Sequence, residues 1–208
     1  MRRAFPLLLL LAGCGLAHVD PAAVKALPLE ARLDLLEAEN ELFIAVDAVD
    51  EASFRLQDAR EAYRSADERI DEAEAALEHA EKGKEPHLIE VAQLAVQAAE
   101  EREAFLDIWR DVEAARLEVE RARLELAQVR FERTKALAVK RANVAGAEKL
   151  DLDAYESAAA GLEQEVKQRE EEARLAEEGA GTARSQWQAT RRLLAQRTGG
   201  GQGSPWVE

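Results

Sequence analysis

Apolar residues recur along this chain at alternating steps of three and four, and the rhythm covers most of its length. In the clearest stretch one row reads Leu35, Leu42, Val49, Leu56, Tyr63, Ile70 and Leu77, and three residues further on come Ala38, Ala45, Ala52, Ala59, Ala66, Ala73 and Ala80. A heptad kept up over this distance is the pattern of a helix whose apolar seam meets another helix. A second stretch follows the same logic less strictly. Val91, Ala98, Phe105, Val112, Val119 and Leu126 alternate with Leu94, Ile108, Ala115, Ala122, Val129 and Ala136, and Glu101 interrupts them. The third stripe is Tyr155, Ala159, Leu162, Val166, Ala173, Ala176, Ala180, Ala183, Trp187 and Leu194. Arg169 sits on that stripe, and Gly179 and Gly181 predict a weak or bent segment near them.

Two breaks separate the stretches. Lys82-Gly83-Lys84-Glu85-Pro86-His87 combines glycine and proline and permits a reversal. From Asn143 through Gly146 to Asp151 the pattern stops again; Asn143 and Gly146 favour a helix end. Asp151 or Asp153 can cap the next helix, and Asp153 with Glu156 has capping-box spacing. The predicted elements are helices over about 29–82, 88–142 and 152–197, after a short tether over 14–28 containing Pro21 and Pro28. Residues 198–208 are a flexible Gly-rich tail.

Folding the chain back at the first break tests whether the seams fit. Ala66 falls opposite Phe105, Leu56 opposite Ala115, Val49 opposite Ala122, Leu35 opposite Ala136 and Ala59 opposite Val112. Large meets small, which lets helices approach without voids. Asp67 then falls near Arg102 and Glu39 near Arg130, whereas Ile70 opposite Glu101 and Ala38 opposite Arg133 are misfits. Returning about the second break brings Trp187 near Trp109. The fold class is all-α, an elongated antiparallel coiled coil of three long helices. Extra apolar residues early in the first helix, Leu29, Leu33, Leu36, Phe43, Ile44 and Val46, read as a wider intramolecular core completed by Leu137, Val139, Leu150 and Leu152. The alternative is an exposed oligomerisation patch.

Composition supports the thin-seam reading. Charged residues make up 34% of the chain and aromatics 5%, so the core is a seam between helices with no large enclosed pocket. The balance of 28 basic against 42 acidic residues gives a net charge of −14. A chain this acidic has no electrostatic attraction for nucleic acid or for an anionic membrane surface.

Candidate chemistry is sparse. His18, His79 and His87 are scattered, without the i, i+4 pairing of a metal site. Glu170-Glu171-Glu172 and Glu177-Glu178 read as solvated helix faces, and Gly199-Gly200-Gly201 follows a helix without leading into another element as a phosphate loop would. Trp206 stands on the tail as an end or a docking peptide. The residues point to no catalytic, cofactor-binding or metal site and to no small-molecule substrate, so the chain is read as a non-enzyme.

The one strongly patterned motif is at the start. Arg2-Arg3 precede an apolar run from Ala4 to Leu10, too short to span a bilayer, and then come Leu11-Ala12-Gly13-Cys14. This arrangement resembles the lipobox of bacterial lipoproteins, with residues 1–13 as the signal peptide. The resemblance implies diacylglycerol on the Cys14 thiol, cleavage before Cys14 and acylation of its new amine by fatty chains such as palmitate. Cleavage would also remove Arg2 and Arg3 and no acid, two positive charges fewer. Several acyl chains would anchor the protein durably. Gly15 stands where that family's inner-membrane retention signal is usually aspartate, which favours the outer membrane and its periplasmic face.

A second resemblance lies around the later break. Ala122–Leu137, including Leu126-Ala127 and Glu132-Arg133, then Val144–Leu152, then Ala154-Tyr155-Glu156-Ser157-Ala158, is similar to the helical hairpin of periplasmic adaptor (membrane-fusion) proteins. It covers the hairpin alone, with no counterpart of that family's lipoyl or β-barrel domains. The expected role is a lipid-anchored envelope lipoprotein serving as a structural or protein-interaction coiled coil, with a helical envelope protein or a second copy of itself as partner. The alternatives are an accessory subunit of an efflux or secretion assembly and a periplasmic holding chaperone.

Overall fold

The computed structural model describes residues 16–199, and these form helices α1 (Pro21–Lys25), α2 (Leu29–Gly83), α3 (Pro86–Arg141) and α4 (Leu152–Arg197), with a 3₁₀ turn at Ala147–Lys149 before α4. No strand occurs among the described residues. Cys14 with the leader, and Trp206 with the tail from 200 onward, lie outside them.

The breaks are built from local backbone chemistry. Between α2 and α3 the left-handed residue is Lys84, with φ 57°, rather than the glycine beside it, and its amide donates to the carbonyls of Ala80 and Glu81. Pro86 opens α3, where its missing N–H costs nothing. Between α3 and α4 both Asn143 (φ 52°) and Gly146 (φ 88°) are left-handed, so the expected helix-ending residues do end the helix. Asp151, not Asp153, caps α4: its Oδ1 accepts from the amides of Asp153 at 3.0 Å and Ala154 at 3.2 Å. The capping-box role is absent, since Glu156 instead pairs with Arg133. α4 is continuous helix through Gly179 and Gly181.

The described residues divide into two compact units. Unit 1 comprises residues 16–50 with 119–168. Within it α2 and α3 run antiparallel, with Leu35 and Ala136 in one core and Arg141 4.0 Å from Asp34. There α4 returns along α3, with Arg130 paired to Glu163 and Arg133 to Glu156. One core gathers Val19, Leu27, Leu35, Val139 and Tyr155, and a second Ala122, Leu126, Val129, Ala159 and Val166.

Within the stretch read as a short tether, residues 16–28 pack on unit 1, with Val19 and Leu27 buried in its core. The early apolar residues of α2 are not core: Leu29 is 76% exposed and Leu33, Leu36, Phe43 and Ile44 are exposed with it. The place assigned to them beside Val139, Leu150 and Leu152 is taken by Val19, Leu27 and Leu16 of the chain's own start. The Glu39–Arg130 pairing also gives way, as Arg130 bonds to Glu163 at 2.8 Å.

Unit 2 comprises residues 51–118 with 169–199. Its α2 seam is the alanine row, with Ala52, Ala59, Ala66, Ala73 and Ala80 all buried, and one core joins Ala73, Ala95, Ala98 and Leu194. Tyr63 lies under the Arg110 guanidinium, 5.2 Å from its ring centre, while Arg55 approaches Glu113 at 3.5 Å. Trp187 does not reach Trp109 as its nearest ring. It stacks on Phe105, with centroids 5.7 Å apart and planes at 10°, and Phe105 in turn meets Trp109 at 6.0 Å. Arg102 is half-buried and makes no ion pair with Asp67; burial, together with the charges of Arg69 and Arg191, lowers its pKa.

Candidate functional site: the docked segment that follows Cys14

The first described residues, Leu16 to Pro28, are fixed on unit 1 by a buried carboxylate, a buried phenol and a short capped helix. Glu132 of α3 is 5% exposed, and an unpaired carboxylate there would be strongly disfavoured. It is not unpaired. Lys135, one turn on, donates to Oε1, and His18 Nδ1 lies 3.1 Å from the same oxygen. The Val19 amide donates to Oε2 at 3.3 Å. Lys135 also covers the Phe131 ring at 4.5 Å, which holds its ammonium over the carboxylate side.

Tyr155, in the first turns of α4, is 1% exposed, and its hydroxyl donates to the Ala17 carbonyl. Burial and, secondarily, the Glu132 charge hold its phenol above the ordinary value, so it stays a neutral donor. Asp20 then starts α1: its carboxylate accepts from the Ala22 amide at 2.8 Å, and Pro21 occupies the first turn. Arg32 of α2 closes the connection by donating from Nε to the Leu27 carbonyl at 3.0 Å and from Nη2 to the Lys25 carbonyl at 2.7 Å. Backbone and side chains thus satisfy a segment that contributes two buried apolar anchors, Val19 and Leu27. Each anchor stabilises the packed state by roughly 1.5–3 kcal/mol.

This arrangement fixes residues 16–28 on unit 1. Ala17 is three residues after Cys14, and three residues reach at most about 10 Å. His18 was read from sequence as one of three scattered histidines, and the structure brings it to Glu132, whereas His79 and His87 are exposed on helical turns. Sequence placed Tyr155 at the head of the third apolar stripe and Glu132 only within the hairpin resemblance, and showed neither as a partner of the segment over 16–28. The only available signal was an acid three residues after the seam residue Val129, on a helix that packs against neighbours on two sides.

Elsewhere in unit 1 an open groove of about 320 Å³ runs along Pro28, Ala31, Leu137 and Ala138, with Asp34 and Arg141 at its rim. In unit 2 Glu113 is 2% exposed and takes a 2.6 Å bond from Arg116, which also reaches Glu177 and covers Trp109. The Glu177 side chain, read as solvated, is thus a cross-helix partner. Among the described residues no group of three or more His, Cys, Asp or Glu could hold a metal ion, and no helix is long and apolar enough to cross a membrane. No protein-family model, curated protein or solved structure matches the chain significantly.

Proposed function

We propose that the protein is a lipid-anchored lipoprotein of the bacterial cell envelope, with its helices in a non-catalytic structural or protein-interaction role. The reading rests on the Arg2-Arg3, apolar run and Leu11-Ala12-Gly13-Cys14 order. It is supported by the observation that carries it furthest: the chain three residues after Cys14 is built into unit 1 through Ala17–Tyr155 and Val19–Glu132. A lipid on Cys14 would then hold a folded unit at the membrane instead of trailing it on a free leash. Gly15 favours the outer membrane and its periplasmic face under this reading. The chain as a whole carries −14, and cleavage before Cys14 would remove Arg2 and Arg3, so lipid rather than charge would supply the attachment.

The test is fractionation of cells making the protein or its Cys14→Ser variant. The protein should stay with membranes through high-salt and carbonate washes, and the variant should appear in the soluble fraction. Retention of the variant in washed membranes overturns the reading.

A further inference from the structure

The early part of α2 is amphipathic in a way that unit 1 does not use. Its inner face carries Leu35 into the core, while the opposite face exposes Leu29, Leu33, Leu36, Phe43 and Ile44. Leu29, Leu33, Leu36, Asn40 and Phe43 follow one another at steps of four, three, four and three. That is a second heptad seam on the same helix, in d-a-d-a-d order, and Asp47 at the next a position closes it. We propose that this outer face of α2 takes a second copy of the chain as a parallel two-stranded coiled coil.

Three features fix the occupant and its direction. Asn40 stands at a core a position, where a pair of asparagines facing each other selects two parallel strands and one register at some cost in stability. Antiparallel pairing sets a positions against d positions, so Asn40 would face Leu36 of the other copy and bury an amide without a partner. Parallel pairing also sets Arg32, at g, beside Glu37 of the other copy, at the following e. The antiparallel form brings the two Glu37 carboxylates together instead. Arg32 is exposed and already oriented by its bonds to Leu27 and Lys25, which use two of its five donors. A lipid surface fits poorly, because Glu30, Glu37, Glu39 and Glu41 crowd the same stretch.

The inference does not depend on acylation, so it is tested on the full chain carrying Cys14→Ser. Sedimentation should show a concentration-dependent dimer, and Leu36→Glu should weaken it at least about tenfold with helical circular dichroism unchanged. Adding Asn40→Cys, as the chain's only cysteine, should give a disulfide-linked dimer on mild oxidation, whereas Glu41→Cys should give little. A chain that stays monomeric at its solubility limit overturns the proposal. So does a dimer insensitive to Leu36→Glu or one that Asn40→Cys fails to cross-link. Leu36-dependent binding of a monomer to phosphatidylethanolamine–phosphatidylglycerol vesicles would assign the face to lipid and overturn it as well.

Discussion

Units 1 and 2 are built on the same three helices, yet they solve the packing problem differently. Unit 2 closes on alanine: Ala52, Ala59, Ala66, Ala73 and Ala80 are all buried, and the seam gains closeness rather than apolar area. It then admits charge, with Glu113 buried against Arg55 and Arg116, and with Arg102 half-buried, its pKa lowered by burial and by the charges of Arg69 and Arg191. Unit 1 leaves its own alanines, Ala38 and Ala45, only half-buried and gathers large residues from four chain segments around Tyr155 and Leu35. The difference teaches that a heptad states which face is a seam and not how wide the seam becomes. In unit 1 the width comes from a segment outside any heptad.

The comparison can be broken at its largest residue. Tyr155→Ala should cost unit 1 about 3–5 kcal/mol, read by urea unfolding, because it empties a core site and frees the Ala17 carbonyl. A loss below about 1 kcal/mol would mean that the docked segment and the phenol contribute little. Next in size is a substitution that separates the two seams. Ala66→Leu should cost about 1–3 kcal/mol through overpacking, while Ala38→Leu in the half-buried row should cost less. Equal costs at both sites would erase the contrast between an alanine seam and a wide one. The smallest effect has the opposite sign. Gly179 is exposed in mid-helix, and an added Cβ would meet nothing within 4 Å. Gly179→Ala should therefore raise stability by about 0.5–1 kcal/mol, seen as a higher melting temperature.

Much of the fold was legible because heptads are local. Leu35 through Leu77, the Gly83–Pro86 break and the Asn143–Gly146 break define helices from neighbours a few residues apart, and helices of this kind need no distant information to be recognised. The outcome at Leu29, Leu33, Leu36, Phe43 and Ile44 was not legible in the same way. Their apolarity was visible, but their exposure depends on which other segment reaches the core first. That segment is held by contacts across 113 residues, from Val19 to Glu132, and across 138 residues, from Ala17 to Tyr155. No pattern within a helix encodes such a pairing. Trp187 shows the smaller version of the same limit. The periodicity put it on the correct face, but the one-turn choice between Trp109 and Phe105 was made by ring stacking. The candidate site shows the same limit: the cluster of His18, Val19 and Lys135 around Glu132 is readable only in three dimensions.

The central claim is that residues 16–28 belong to the folded unit. Amide hydrogen exchange on the full chain tests it most directly, through peptides covering 17–27. The account predicts slow exchange there, with the Val19 and Leu27 amides protected to a degree like that of α3 near Glu132, and loss of that protection in the Tyr155→Ala variant. Exchange of 17–27 as fast as that of an unstructured peptide would contradict it.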